Sequence, residues 1–382
     1  MINFALGLFY AWSVFADGLI KELGWSKSEA MLPYTLELLF FSIAMIFAGR
    51  FQDRFGPRRG VFLSGIFTGL ALILCALTAS PLGVAFSFGI VFGTAAAFGY
   101  SAVTPAAIKW FPPEKRGLIT GIVLMSLGAG SLVWAPVINF LLYYTGVINA
   151  FLFCGLFLLV VITVSSRFIS VPASGQGMNA SPGRAVEPGE PGWRKTIGQT
   201  SFWLLWALVA LTSGVGMMFV GHLVQIAELN FQVAWGYLLV SLFALANAAS
   251  RVIGGAICDR LGYIGNMKVA LVIMTVAMLF FISGLGWLAL VLGTAFLGLS
   301  YGSLYTSFPT AVADLFGLDD FGVNYGMVFT ALGLVGSIGP MAAAFLAELT
   351  ASYNLSFLLG LITSLLCFFL LAKLNKIIAQ KR

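Results

Sequence analysis

The sequence predicts an all-α membrane protein with twelve transmembrane helices arranged in two six-helix bundles, and three observations support this fold class. The chain of 382 residues is 60% hydrophobic and only 9% charged, whereas a soluble domain carries about 25% charged residues. Charges, prolines and turn residues divide the chain into twelve apolar segments. Several motifs also occur twice at a nearly constant separation. A chain this apolar is solvated mainly by lipid, so its net charge of +6 does not indicate nucleic-acid binding.

Most of the apolar segments are close to the length of about 20 residues that a helix needs to cross a bilayer. Ser26 and Glu29 have the spacing of a capping box and predict that the second helix starts there. The first segment has no basic n-region and no small-residue cleavage site, so we expect no cleavable signal peptide. The segments cover approximately residues 2–20, 29–50, 59–79, 82–108, 117–143, 146–167, 200–226, 232–257, 267–284, 286–313, 322–347 and 354–373.

A change in composition separates the first six segments from the last six. The intervening residues are rich in proline and glycine, which is typical of a flexible hydrophilic linker. We therefore predict an N-terminal six-helix bundle at residues 1–167, a linker at 168–199 and a C-terminal six-helix bundle at 200–382.

The basic residues indicate the orientation in the membrane. Twelve spans place both termini on one side. Of the 20 Lys and Arg residues, two (Lys21 and Lys27) fall on the other side and one (Arg251) lies inside a span, which leaves 17 on the side of the termini. Because basic loops stay in the cytoplasm, we expect both termini and the linker to be cytoplasmic. We expect a multi-pass protein of the cell membrane, in a bacterium the inner membrane, that works as a monomer in the lipid bilayer.

Two halves of the chain are related in sequence. Residues 49–56 (GRFQDRFG) and 255–262 (GAICDRLG) share the pattern GxxxDRxG and lie 206 residues apart. Pro105 and Pro309, each followed by a phenylalanine and spaced glycines, lie 204 residues apart. Matching Leu-Gly pairs continue the register. Motifs repeated at a nearly constant offset indicate an internal duplication.

These motifs resemble those of the major facilitator superfamily, and the resemblance covers essentially the whole chain. It implies a secondary transporter with a substrate site near the membrane midplane and alternating access. Residues 10–15 (YAWSVF), 109–112 (KWFP) and 324–326 (NYG) are similar to the branch that contains oxalate/formate antiporters and monocarboxylate transporters. The resemblance therefore implies a small monocarboxylate anion, such as L-lactate, as substrate. Protons are the expected coupling ion, and anion exchange is the alternative.

Arg251 is the most informative single residue. If Asp259 marks the end of span eight, a rise of about 1.5 Å per residue places Arg251 about 12 Å deeper, near the midplane. A charge there costs at least about 2.5 kcal/mol and normally faces a cavity. The resemblance implies that Arg251 binds the substrate carboxylate, while snorkelling or a structural ion pair is the alternative. Asn247, one turn earlier, is expected to contact the substrate, orient the guanidinium or simply pack.

Leu332 indicates the substrate class by the residue that it replaces. In the oxalate transporter the matching stretch reads Thr-Ala-Lys-Gly, and the resemblance implies that its Lys binds a second carboxylate. Residues 330–333 read TALG in this chain. With one cation in the site, a dianion would leave one buried charge unpaired, so Leu332 favours a monocarboxylate.

Aromatic residues are further candidates for the substrate-binding site. Tyr100, Tyr301 and Tyr305 fall on spans four and ten, where a hydroxyl and an apolar ring would suit a short 2-hydroxy or 2-oxo acid. Tyr10 and Phe329 are weaker candidates for the pocket wall. Packing alone is the alternative for each of them.

Three residues are candidates for proton coupling, and four others are candidates for a gate. His222 is the only histidine, and histidine titrates near neutral pH; it is also a candidate for the binding site. Glu37 and Asp17 are acidic residues in apolar segments, where a carboxyl group tends to stay protonated. The repeated loops supply the predicted gate residues, which would pair with an arginine or a helix N-terminus: Asp53, Arg54, Asp259 and Arg260.

Other function classes find little support in the sequence. A single histidine and the absence of a nucleophile motif or a cluster of metal ligands argue against an enzyme, and we expect neither a cofactor nor a metal. The four cysteines are far apart and lie in apolar runs, so we expect small buried hydrophobic residues. A membrane sensor would need an output domain. Two related bundles with a cation inside a span are more typical of a transporter than of a channel.

Overall fold

The computed structural model of the protein describes residues 1–172, 192–233, 235–318, 320–336 and 338–381. Nearly all of these residues are helical, and the described ranges contain no strand. Most of the predicted linker, residues 173–191, lies outside the described residues, so its flexibility stays a prediction.

The helices follow the apolar segments closely. In the first half of the chain they are α1 (Ile2–Leu6), a 3₁₀ segment (Gly7–Ala11), α2 (Trp12–Leu23), α3 (Lys27–Phe55), α4 (Pro57–Thr78), α5 (Pro81–Val84), a π-helical segment (Ala85–Phe92), α6 (Gly93–Ile108), a 3₁₀ turn (Pro113–Lys115) and α7 (Arg116–Ser166). In the second half they are α8 (Gly192–Ile197), α9 (Thr200–Val220), α10 (Leu223–Phe231), α11 (Tyr237–Ser283), α12 (Gly286–Phe316), α13 (Phe321–Gly336), α14 (Ile338–Thr350) and α15 (Asn354–Lys381).

Ten stretches of helix among the described residues are long and apolar enough to cross a membrane. Two of them, α7 and α11, each contain two of the predicted spans, which are separated by Gly146 and Gly262 respectively. Gly262 has φ 71° and ψ 166°, a conformation that essentially only glycine adopts. Its counterpart Gly56, between α3 and α4, has φ 83° and ψ 159°. The ten stretches therefore account for the twelve predicted spans.

The start of α3 confirms the predicted capping box. The side chain of Ser26 accepts a hydrogen bond from the backbone N–H of Glu29 at 3.2 Å. In return, the backbone N–H of Ser26 donates to Oε2 of Glu29 at 2.8 Å. This reciprocal pair satisfies two of the N–H groups that a helix start leaves without partners, and it fixes where the second span begins.

Contacts between residues divide the chain into two compact units. Unit 1 comprises Met1–Pro112, Val123–Arg184 and Leu318–Gly333, and unit 2 comprises Pro113–Ile122, Ala185–Gly317 and Leu334–Arg382. Each unit therefore includes a short stretch from the other half of the sequence: most of α13 belongs to unit 1, and the start of α7 belongs to unit 2. The division into two six-helix bundles stays a prediction.

Aromatic stacking and close backbone contacts hold each unit together. In unit 1 the rings of Trp12 and Phe88 stack with centroids 4.1 Å apart. In unit 2 the rings of Phe219 and Phe281 stack at 5.0 Å. Glycines allow helices to approach, as expected in membranes; a Cβ atom at Gly69 would lie 2.8 Å from the carbonyl oxygen of a glycine on α7. All four cysteines are free and buried, as the sequence predicts.

Candidate functional site

Arg251 is a buried charge on α11, with only 3% of its surface exposed. Its Nε donates a hydrogen bond to Oδ1 of Asn247 at 3.1 Å, so the residue one turn earlier does contact the guanidinium. In the described part of the chain Arg251 and Glu37 are the two buried members of the Asp, Glu, Lys and Arg classes. The amide of Asn247 thus orients the buried guanidinium.

The backbone around Arg251 is fixed by close contacts inside unit 2. Oγ1 of Thr306 on α12 donates to the carbonyl oxygen of Arg251 at 3.1 Å. Gly121, at the start of α7, lies so close that a Cβ atom there would collide with the same carbonyl oxygen. Gly302 on α12 is likewise pressed against Asn247. Small residues on both neighbouring helices therefore set the position from which the guanidinium extends.

The two predicted tyrosines of α12 form a polar chain with α9 in unit 2. The hydroxyl of Tyr301 donates to the hydroxyl of Tyr305 at 3.0 Å, and the Tyr305 hydroxyl lies 2.8 Å from Oγ of Ser213. The ring of Tyr301 packs directly over Gly216, where any side chain would collide with it. Both tyrosines are buried, and each hydroxyl has a hydrogen-bonding partner, as a buried phenol requires.

Tyr100 and Phe329 meet in an aromatic cluster of unit 1. The hydroxyl oxygens of Tyr100 and Tyr325 lie 3.2 Å apart and share a hydrogen bond. The ring of Phe329 lies 5.7 Å from Tyr100 and 4.6 Å from Tyr325. Tyr325 is a candidate that the sequence prediction missed, although it stands one helical turn before Phe329. That spacing on one helix face was the signal that could have identified it.

Two further predicted site residues of unit 1 are more accessible. Tyr10 lies in the 3₁₀ segment between α1 and α2 and is 38% exposed, with its ring 4.1 Å from that of Phe9. Leu332, near the end of the part of α13 that belongs to unit 1, is half-buried. Predicted site residues therefore occur in both units.

Glu37 is completely buried in unit 1, at 0% exposure. Neither of its carboxyl oxygens has a hydrogen-bonding partner among the described residues. Its backbone packs against Gly93 at the start of α6, where a Cβ atom would lie 2.7 Å from the Glu37 carbonyl oxygen. An ionised carboxylate without a partner is costly to bury, so this position favours a carboxyl group that can be neutral.

Asp17 and His222 have quite different surroundings. Asp17 is exposed on α2, and its Oδ2 accepts from Nζ of Lys21 at 2.6 Å. His222 is half-buried between α9 and α10, with Nε2 3.0 Å from the carbonyl oxygen of Pro340 and Nδ1 3.1 Å from the hydroxyl of Tyr353. Because a carbonyl oxygen can only accept, Nε2 carries a proton and Nδ1 accepts from the tyrosine in the neutral ring. Both ring nitrogens are thus engaged.

The repeated aspartates each cap a helix N-terminus. The carboxylate of Asp53 accepts from the backbone N–H groups of Gly322 and Val323, at 3.1 and 2.9 Å, at the start of α13 in unit 1. In unit 2, Asp259 accepts from the N–H groups at the start of α7, at 2.7 and 2.9 Å. The sequence allowed either an arginine or a helix N-terminus as the partner of each aspartate. In the structure each aspartate contacts a helix N-terminus, where its negative charge also complements the helix dipole.

The arginines that follow these aspartates are directed elsewhere. Arg54 and Arg260 are exposed, and neither forms an ion pair within the described residues. The guanidinium of Arg54 lies 5.2 Å from the centre of the Phe55 ring. Their predicted part in the gate therefore stays a prediction, separate from the hydrogen bonds of the aspartates.

Comparison with known proteins decides the family. The sequence profile of the Major Facilitator Superfamily matches residues 1–288 of the chain. The chain belongs to the major facilitator superfamily. It is therefore a multi-pass membrane transporter and not an enzyme, and the predicted fold class is confirmed.

Several relatives are similar to the chain in sequence, and a solved structure shares its fold. It is 28% identical over 373 residues to the oxalate:formate antiporter of Oxalobacter formigenes, covering 95% of this chain and 86% of that protein. It is 27% identical over 320 residues to mouse monocarboxylate transporter 11, covering 80% of this chain and 70% of that one. The crystal structure of the human organic anion transporter MFSD10 has the same fold, with a TM-score of 0.74 at 15% identity over 97% of both chains.

Proposed function

We propose that this transporter carries small monocarboxylates of the L-lactate type, together with a proton, by alternating access. The observation that carries the proposal is Arg251, a buried guanidinium whose Nε is held by a neutral amide. A planar guanidinium matches a carboxylate in two parallel hydrogen bonds, whereas an ammonium offers only a point charge. A carboxylate is thus the substrate group for which this residue is best suited.

The number of charges favours a monoanion. In the described part of the chain no Lys or Arg other than Arg251 is buried, and position 332 is a half-buried leucine. Bringing a dianion into such an interior would desolvate a second charge, at a cost of several kcal/mol. The names of the relatives, an oxalate:formate antiporter and a monocarboxylate transporter, support small carboxylates as the substrate class.

Proton coupling follows from the charge of the substrate. Moving one negative charge into a cell costs about 2.3 kcal/mol per 100 mV of membrane potential, and a proton moved with it cancels this cost. Glu37 is the preferred proton site of the three candidates, because it is buried and its oxygens have no hydrogen-bonding partners among the described residues. Asp17 instead forms an exposed ion pair, and His222 uses both ring nitrogens for structural hydrogen bonds.

Uptake of labelled L-lactate into liposomes that contain the pure protein tests the proposal. We expect uptake when an inward proton gradient is the only driving force, and inhibition by pyruvate but little by oxalate. Uptake that requires an internal anion and ignores the gradient would instead make the protein an exchanger, as in the named antiporter. Equal competition by oxalate and L-lactate would contradict the assignment of a monocarboxylate.

A further inference from the structure

A recess of about 550 Å³ opens in unit 1 where three membrane spans end. It includes the end of the repeated loop at residues 49–56, and Arg54 is the one member of its lining that is also a predicted gate residue. We call it the arginine recess, and it is lined by Arg54, Phe55, Arg58, Arg59, Phe62, Ser166 and Arg167.

The arginine recess concentrates positive charge. Its four guanidinium groups come from the end of α3, the start of α4 and the residue after α7. None of them forms an ion pair with a carboxylate of the described residues. Guanidinium groups bind phosphate oxygens in pairs of parallel hydrogen bonds. Several such groups around one cavity therefore select a phosphate-bearing anion.

The position of the recess indicates where this phosphate comes from. The end of a membrane span is the depth at which lipid headgroups lie, and basic pockets between spans on the cytoplasmic side bind anionic headgroups. Two phenylalanines line the same recess, Phe55 and Phe62, and they are 42% and 43% exposed. A charged edge beside exposed apolar rings matches a molecule with a phosphate at one end and hydrocarbon at the other.

The internal duplication shows that the arginines of this recess are more than the basic residues that orient the chain in the membrane. The offset of 206 residues places Ile264 and Gly265 where the first half has Arg58 and Arg59. Orientation requires basic residues anywhere on this side of the membrane. It does not require four arginines around a single cavity in the first half of the chain. We propose that the arginine recess binds the headgroup of an anionic phospholipid.

The charge of the recess ranks the candidate lipids. Four guanidinium groups exceed the charge of a single phosphodiester, so a headgroup with two phosphates uses more of them. We expect cardiolipin to bind more tightly than phosphatidylglycerol, and phosphatidylcholine, which has no net charge, to bind weakly. Binding is electrostatic and at the surface, so it weakens as salt is raised.

Thermal unfolding of the full-length protein in a neutral detergent tests this proposal. Cardiolipin, phosphatidylglycerol, phosphatidylcholine or inorganic phosphate would be added at constant ionic strength. The test variant is Arg58→Gln/Arg59→Gln, and the matched control Lys373→Gln/Lys376→Gln removes two exposed charges from α15. We expect cardiolipin to raise the Tm of the wild type and of the control, and the test variant to need about thirtyfold more cardiolipin for the same shift.

Two results would overturn the proposal. Equal lipid-dependent shifts in all three proteins would show that the recess is not the site. A shift by inorganic phosphate as large as that by cardiolipin would assign the recess to a soluble phosphate compound. If the double variant does not fold, Arg167→Gln probes the part of the lining that follows α7, with lipids retained by the purified protein counted by native mass spectrometry. Unchanged lipid retention in that variant would also refute the proposal.

Discussion

The two halves of this transporter share the loops that carry the repeated aspartates and differ in their buried charges. Asp53 and Asp259 occupy matching positions in the repeat, and each accepts two backbone hydrogen bonds of 2.7 to 3.1 Å from the start of a helix. The loops that carry them also share the glycine conformation that ends the motif. Sequence duplication has therefore preserved a local structure down to its hydrogen bonds.

The buried charges show no such symmetry. The offset of 206 residues places Phe243 at the position of Glu37, and Met45 at that of Arg251, and both counterparts are buried apolar residues. One half thus buries an acid and the other half buries a base. Under the proposed function, the repeated loops serve a motion common to both halves, whereas the residues for substrate and proton, Arg251 and Glu37, lie where the halves diverged.

The largest effect is expected from Arg251→Lys, which keeps the charge but removes the planar fork. Loss of one charge-assisted hydrogen bond alone would lower uptake of L-lactate at least about tenfold, and we expect severe impairment in the liposome assay. Arg194→Lys, an exposed residue on α8, is the matched control and should transport normally. Full uptake by Arg251→Lys would refute the assignment of this residue to the substrate carboxylate.

The next largest effect is expected from Glu37→Gln, which retains shape and removes the titrating group. Uptake driven by a proton gradient should be lost, while exchange of external for internal L-lactate continues, because exchange needs no net proton movement. Glu348→Gln, exposed on α14, serves as the control. Normal proton-driven uptake in Glu37→Gln would exclude it as the proton site and would leave the role of Arg251 untouched.

A moderate and symmetrical effect is expected from Asp53→Asn and Asp259→Asn. Each change removes the negative charge that complements a helix N-terminus, an interaction of about 0.3 to 1 kcal/mol. Hydrogen exchange should accelerate up to about fivefold at Gly322 and Val323 in the first variant, and at Gly117 and Leu118 in the second. A change at only one of the two sites would show that the halves differ in their gates as well as in their interiors.

The smallest effect on transport is expected from His222→Gln. The variant loses the hydrogen bond to Tyr353, which would lower the free energy of unfolding by about 1 kcal/mol and therefore the Tm by a few degrees. Proton-driven uptake should persist. Tyr353→Phe removes the same hydrogen bond from the other side and should match the loss in Tm. If His222→Gln abolished coupling, the histidine would replace Glu37 as the proton site.

Local and periodic features could be predicted from the sequence, and long-range partners could not. Twelve apolar segments, the capping box at Ser26 and the repeat register depend on neighbouring residues or on simple counting. The partners of Asp53 lie about 270 residues away along the chain, and no pattern in one sequence identifies them. The hydrogen bond of Tyr325 to Tyr100 escaped prediction for the same reason.

Irregular helices form a second limit of prediction. The π-helical segment at Ala85–Phe92 and the 3₁₀ segment at Gly7–Ala11 interrupt runs that look uniformly apolar. Hydropathy reports which residues avoid water, but the choice between i→i+3, i→i+4 and i→i+5 hydrogen bonds depends on how neighbouring helices pack. Tyr10 and Tyr100 are predicted site residues near such segments, and the direction of their side chains could therefore not be predicted from the sequence.

Burial of the four cysteines has a practical consequence for measuring the transport cycle. Thiols enclosed in apolar surroundings react poorly, since the reactive species is the thiolate. Cys75, Cys154, Cys258 and Cys367 should therefore remain silent towards polar maleimide or spin-label reagents. Pairs of new cysteines placed on exposed loop residues can then be labelled on the native background, so that distances between labels are followed during turnover without first removing any natural thiol.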